Sequence, residues 1–167
     1  MSATAGRIHA LDEQGDLARR TVILLATHGL IAGDFGGMLV EPALAFTPPV
    51  MPDGATVPAR NDGLLTASEV AAMTLTARLV ILSACNTSAG GAAGADGLSG
   101  LARAFLFAGA DSLMVTHFVV RDDAGPRVSV SLARQLMDDP AISPADALRR
   151  SMIELAANTS RDDAGLS

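Results

Sequence analysis

Two residues of this chain, His28 and Cys85, have side chains that can act together in nucleophilic catalysis. Each follows a short apolar run that is typical of a buried parallel strand, TVILLA (21–26) for His28 and LVILSA (79–84) for Cys85. If these two strands are neighbours in a parallel sheet, both side chains emerge at the same edge. The imidazole can then deprotonate the thiol, which attacks well only as a thiolate, and later protonate a leaving amine.

Gly29, next to His28, has a separate use. Without a side chain, its backbone N–H can approach a tetrahedral intermediate and contribute to an oxyanion hole. The separation of the two reactive residues, 85 − 28 = 57 positions, is close to the roughly 50 found between the His and Cys of caspases. Taken alone, a cysteine after an apolar strand is more often a small buried residue. The His-Gly pair at the end of another strand favours the catalytic interpretation.

Other polar residues near the predicted sheet edge are candidates for contact with a substrate. His117 follows a third apolar run, SLMVT (112–116), and is a candidate third polar group in a supporting, structural or substrate-binding role. Asp96, which closes the glycine-rich stretch after Cys85, is the leading candidate to recognise a basic substrate side chain. The other acidic candidates for that role are Asp34, Asp122 and Asp123.

The composition excludes several classes of function. A net charge of −6 and the absence of Trp and Tyr argue against a nucleic-acid partner. The chain has no Lys, which rules out a Schiff-base lysine and the P-loop motif. No C-x-x-C, H-x-x-x-H or G-x-S-x-G pattern occurs, so we expect no metal site and no serine hydrolase elbow.

The cysteine count and the hydropathy of the chain bear on its location. Cys85 has no partner for an internal disulfide, which fits the cytoplasm. No stretch reads as a secretory signal or a transmembrane helix, so we expect no membrane association.

Helix signals alternate with the three predicted strands, which predicts a three-layer α/β fold with a mainly parallel sheet. Thr66 to Glu69 form a capping box for a helix through about Met73. Further helices are expected over 100–107 with Gly109 as C-cap, over 128–137, and from the N-cap Ser143 to about Ala157. The Pro-rich segment 47–58 is expected to be an exposed excursion.

We expect a single domain over 1–167, with a weakly patterned amino end and a carboxyl end that trails off without a closing strand. Six motifs occur along the chain in this order: LLATHGL (24–30), EPALAFTPP (41–49), DGLLTASEVA (62–71), LVILSACNTSAG (79–90), DGLSGLARAFLFAGA (96–110) and ALRRSM (147–152). Together they resemble the motifs of the CHAT domain, a caspase-like cysteine peptidase module often found in bacteria behind tetratricopeptide repeats.

The resemblance implies a caspase-hemoglobinase-like fold of peptidase clan CD. It implies a His28–Cys85 dyad, the backbone amides of Gly29 and Cys85 as oxyanion donors, and cleavage of a protein or peptide substrate through a thioester. It also implies chemistry that needs no metal or organic cofactor, and a regulatory partner region such as tetratricopeptide repeats. The alternative is a catalytically silent caspase-like regulatory or interaction module.

Two departures from the family pattern bear on these expectations. The chain has THFVV (116–120) where the family has an aromatic-proline pair. Family members also continue past this carboxyl end to a final strand, so we expect the sheet to lack its last strand.

Overall fold

A computed structural model describes residues 3–51, 53, 56, 58–84, 93–115 and 124–164. Within these residues the chain forms five strands and six α-helical segments, with 3-10 turns at Leu17–Arg19 and Ala59–Asn61. The strands are β1 (Val22–Leu30), β2 (Ala43–Ala45), β3 (Leu64–Thr66), β4 (Leu79–Ala84) and β5 (Leu113–Val115). The helices are α1 (Ala5–Glu13), α2 (Asp34–Gly37), α3 (Ala67–Ala71), α4 (Ala93–Phe107), α5 (Ala124–Asp138) and α6 (Pro144–Ala164).

The five strands form one mixed sheet in the order β3-β2-β1-β4-β5. Strands β1, β4 and β5 are parallel neighbours, whereas β2 is antiparallel to both β1 and β3. Four strands therefore run in one direction and only β2 runs against them. The predicted α/β fold with a mainly parallel sheet is confirmed, and it is compatible with a caspase-like fold.

The first strand is longer than the sequence predicted. It was expected to end at Ala26, but β1 continues to Leu30 because its last three residues pair with β2 on the edge away from β4. His28 pairs with Ala45, Gly29 with Leu44 and Leu30 with Ala43. His28 and Gly29 thus lie inside the strand rather than after it, and a second strand holds their backbone.

A hydrophobic core lies against one face of this sheet. Alternate residues of the central strands, such as Leu25 in β1 and Leu82 in β4, point into it. Leu44 and Leu65 of the short strands β2 and β3 are fully buried in the same cluster, as are Val70 of α3 and Leu101 of α4. Burial of these side chains explains why three-residue strands persist.

Both helix-end signals that flank this core are confirmed. The Thr66 hydroxyl accepts from the Glu69 backbone N–H, and the Glu69 carboxylate accepts from the Thr66 N–H at 2.9 Å. Helix α4 ends in a Schellman motif: Gly109 has φ +108 and donates to the Leu106 carbonyl, while Ala110 donates to Phe105.

The amino end is helical, which the weak sequence signal did not predict. Thr4 caps α1 by accepting from the Arg7 N–H, but no acidic residue completes a capping box. The helix is held in place by tertiary contacts. Ala5 and His9 are buried, and the Gly6 N–H donates to Asn61 Oδ1 at 3.1 Å.

Contacts divide the chain into two compact units, Met1–Val119 and Val120–Ser167. The second unit contains α5 and α6, both longer than the predicted 128–137 and 143–157. The Ser143 N-cap is confirmed, since its hydroxyl accepts from the Asp146 N–H at 3.1 Å. The two helices are tied by a hydrogen bond from Ser131 to Glu154. The single domain over 1–167 stays a prediction.

The Pro-rich segment 47–58 is irregular wherever it is described. Its described residues belong to no strand or α-helix, as predicted, and a 3-10 turn begins just after it. In the described ranges, no helix combines the length and the apolar character needed to cross a membrane.

Candidate functional site

His28 lies on the exposed face of β1, at the end of the strand where β4 also ends. Side chains alternate along a strand, so His28 shares its face with Leu24 and Ala26, which are also exposed, while Leu25 points to the core. The imidazole is accordingly open to solvent and to a substrate, which a general base requires.

The register between β1 and β4 is described up to the residue before His28. Six consecutive pairs are aligned in parallel, from Val22 with Leu79 to Thr27 with Ala84. The next residues in sequence are His28 and Cys85. Cys85 itself lies outside the described residues, so the described ladder ends one step before the proposed nucleophile.

The backbone around His28 is fixed on both edges. Thr27 pairs with Ala84 on the β4 side, and its hydroxyl donates a hydrogen bond to the Ala45 carbonyl of β2. His28 itself is aligned with Ala45. A strand held between two others allows little movement of the imidazole's attachment point, and such positioning suits a catalytic group.

Gly29 is buried and aligned with Leu44 of β2. Leu44 is fully buried, so the core closely surrounds the backbone here. Because successive N–H groups of a strand point to opposite edges, Gly29 can serve an oxyanion only if its N–H points toward β4 rather than β2.

The structure describes only some of the other residues that were predicted to contact a substrate. Asp96 belongs to α4, in its first turn, although its side chain is outside the described part of the chain. His117, Asp122 and Asp123 lie outside the described residues. Asp34 has a structural role: its Oδ2 accepts from the Ile31 N–H at 2.9 Å and closes the turn that follows β1.

The sequence indicated no role for His9, which is buried in the structure beside Glu69. It is 8 % exposed, and its Nε2 lies 3.2 Å from Glu69 Oε1 without hydrogen-bond geometry. Glu69 is the N3 residue of the α3 capping box, so this pair links α1 to α3 within the first unit. Among the described residues, no three His, Cys, Asp or Glu side chains cluster as metal ligands would.

A groove of about 560 Å³ lies between α5 and α6 in the second unit. The described residues along it include Arg127, Arg134 and Glu154, and none of the residues predicted for the site is among them. It is a feature of the α5–α6 pair.

The feature that the sequence analysis missed is the connection between β1 and β2, residues 31–42. Glycines at 33, 36 and 37 all have positive φ, and Phe35 between them has φ +57. The run GDFGG (33–37) contained the signal, because glycine at this density marks a chain that turns through left-handed conformations.

Comparison with known protein families gives a match over nearly the whole chain. A family model described as the CHAT domain matches residues 2–164. No curated protein matches the chain. The CHAT family has a caspase-like fold and is related to the cysteine peptidases, and the mixed sheet described above is compatible with that fold. Because the match extends over almost all of its length, the chain belongs to the CHAT domain family.

Proposed function

We propose that this protein is a cysteine endopeptidase in which Cys85 is the nucleophile and His28 the general base and acid. The observation that carries the proposal is the parallel register of β1 and β4, whose last described pair is Thr27 with Ala84. Continued by one residue, that register brings His28 level with Cys85. Aligned residues of parallel strands project from the same face, so imidazole and thiol would be neighbours on the exposed face.

The chemistry follows from these two groups. His28 takes the thiol proton, and the thiolate attacks the carbonyl carbon of the scissile peptide bond. As the tetrahedral intermediate collapses, the C–N bond breaks and His28 gives its proton to the departing amine. Water, deprotonated by His28, then hydrolyses the thioester, which releases the acid product and restores Cys85. No metal or organic cofactor takes part in this scheme.

The amides of Gly29 and Cys85 are proposed as the oxyanion donors. Both would lie at the carboxyl end of their strands, beside the carbonyl carbon that the thiolate attacks. This assignment requires the Gly29 N–H to point toward the β4 edge of β1. Removing one such donor typically slows the reaction by about 10²–10³-fold, so the direction of this amide has a direct effect on the rate.

Substrate recognition is proposed to involve Asp96 and His117. Asp96 lies in the first turn of α4, the helix that follows the Cys85 segment in sequence, and its carboxylate would favour a basic substrate residue. CHAT domains are often paired with tetratricopeptide repeats, and we propose that such a region selects or presents the protein substrate. The free thiol chemistry suits a reducing compartment such as the cytoplasm.

A peptide library prepared from a digested proteome tests the proposal without knowledge of the natural substrate. The full chain is incubated with the library, and new termini are identified by mass spectrometry. We expect cleavage by the unchanged protein and none by Cys85→Ala or His28→Ala variants whose circular dichroism shows that they fold. Cleavage that survives in Cys85→Ala would contradict the proposal, and a complete absence of cleavage would favour the silent regulatory module.

A further inference from the structure

The connection between β1 and β2, residues 31–42 and here called the β1–β2 loop, presents three large apolar side chains to solvent. Phe35 is 63 % exposed, Met38 81 % and Val40 87 %, whereas Leu39 between them is buried. Single exposed apolar residues are common on protein surfaces, but three within six residues form a patch, which is typical of a contact surface.

Hydrogen bonds fix the backbone of this loop at both of its ends. The Gly33 N–H donates to the Leu39 carbonyl at 2.8 Å, which closes the loop on itself. Its start is fixed by the hydrogen bond from Ile31 to Asp34. Its end is anchored on α3, where Glu41 Oε2 accepts from both the N–H and the hydroxyl of Ser68. Anchors at both ends reduce the conformational entropy lost when a partner binds.

Phe35 occupies a backbone conformation that glycine would adopt at lower cost. It is the only non-glycine residue with positive φ in the described part of the chain, and glycines fill the neighbouring positive-φ positions 33, 36 and 37. A left-handed conformation is unfavourable for a residue with a Cβ. Because the Phe35 ring is largely exposed, burial does not offset this cost. Strained residues of this kind cluster at functional sites and ligand contacts.

The position of the loop suggests what that function is. The hairpin pairs Leu30 with Ala43, only two residues beyond the pair of His28 with Ala45. The loop therefore extends from the sheet edge at which the dyad is proposed, directly after the strand that carries its histidine.

We propose that the β1–β2 loop contacts an apolar side chain of the protein substrate close to the scissile bond, with Phe35 as its main contact. This inference rests on the proposed function. It assigns the enzyme a preference for an apolar residue at one position that flanks the cleavage site, in addition to any preference for a basic residue.

The peptide library described above tests this preference through two variants of one residue. Phe35→Asn removes the ring but tolerates the left-handed backbone, and Phe35→Leu keeps an apolar side chain. Val50→Asn, at a 99 % exposed residue outside the loop, is the control. We expect the unchanged protein to show apolar enrichment at one position near its cuts. That enrichment should fall about tenfold in Phe35→Asn and stay within about threefold in Phe35→Leu and Val50→Asn.

The outcomes separate this inference from the proposed function. Cleavage that depends on Cys85 but shows the same apolar preference in Phe35→Asn would overturn the inference and leave the proposed function intact. A lack of Cys85-dependent cleavage would overturn both. A concentration-dependent mass in sedimentation that Phe35→Asn abolishes, with cleavage preference unchanged, would assign the loop to self-association and equally overturn the inference.

Discussion

Thr27 and Ala84 are aligned partners at the last described step of the parallel ladder between β1 and β4. Each is followed in sequence by a residue capable of catalysis, His28 and Cys85. The proposed dyad thus depends on strand register. A shift of one residue in this ladder would place the two side chains on opposite faces of the sheet, so the core residues that fix the register also support the proposed site.

The Schellman motif at the end of α4 predicts a severe effect of a single methyl group. A Cβ at Gly109 would lie 2.3 Å from the Leu75 carbonyl oxygen, and φ is +108. We expect Gly109→Ala to lower the free energy of unfolding by more than about 2 kcal/mol, since a left-handed conformation alone costs about 1–2 kcal/mol. Urea unfolding followed by circular dichroism measures this change.

Gly15→Ala is the matched control for that experiment. Gly15 also has positive φ, at +69, but its added Cβ would meet only an Arg19 side-chain nitrogen at 3.8 Å. It should therefore show the conformational cost of about 1 kcal/mol without the clash. Equal destabilisation by both substitutions would contradict the close approach of Gly109 to Leu75.

The capping box of α3 predicts a moderate loss of stability. In Thr66→Ala the Glu69 N–H loses its hydroxyl acceptor, which should reduce the free energy of unfolding by about 1 kcal/mol. Thr66→Ser retains the hydroxyl and should stay within about 0.5 kcal/mol of the unchanged protein. Thermal and urea unfolding of the three proteins provide the comparison, and a Thr66→Ser variant as unstable as Thr66→Ala would show that the hydroxyl is not what stabilises the helix.

Leu44 connects the core to the strand that carries His28. It is fully buried and aligned with Gly29. We expect Leu44→Ala to cost about 2–5 kcal/mol, because it removes buried methyl groups and leaves a cavity. Leu106→Ala, at a residue that is 48 % exposed, is the control and should cost much less. Similar unfolding midpoints for the two variants would contradict the burial of this β2 residue in the hydrophobic core.

The sequence was sufficient to predict those parts of the fold that depend on local patterns. The apolar runs at 21–26 and 79–84 lie in two parallel neighbours, and the capping signals at Thr66, Gly109 and Ser143 all correspond to helix ends. Strands β2 and β3 were not predicted, because ALA and LLT are too short to show periodicity and are stabilised by burial in the core. For the same reason, the extension of β1 to Leu30 depends on β2 and could not be read from β1 alone.

The sequence was enough to propose which residues form the candidate site. Their exposure and their contacts depend on the fold. That His28 is exposed follows from the alternation of a strand longer than the one predicted. Asp34 accepts a hydrogen bond from the Ile31 backbone N–H, and this structural role follows from a turn that the sequence pattern did not predict. The exposed side chains of the β1–β2 loop became visible only once the positive φ angles placed them.

The rate of alkylation of Cys85 by iodoacetamide, measured against pH, tests the proposed dyad most directly. The unchanged chain is compared with His28→Ala, with folding verified by circular dichroism. An isolated thiol has a pKa of about 8.5, and its alkylation slows about tenfold for each pH unit below that value because only the thiolate reacts. We predict a fast reaction of the unchanged protein that persists well below pH 8 and is suppressed in the folded variant. A slow reaction that is identical in the two folded proteins would contradict the pairing of His28 with Cys85.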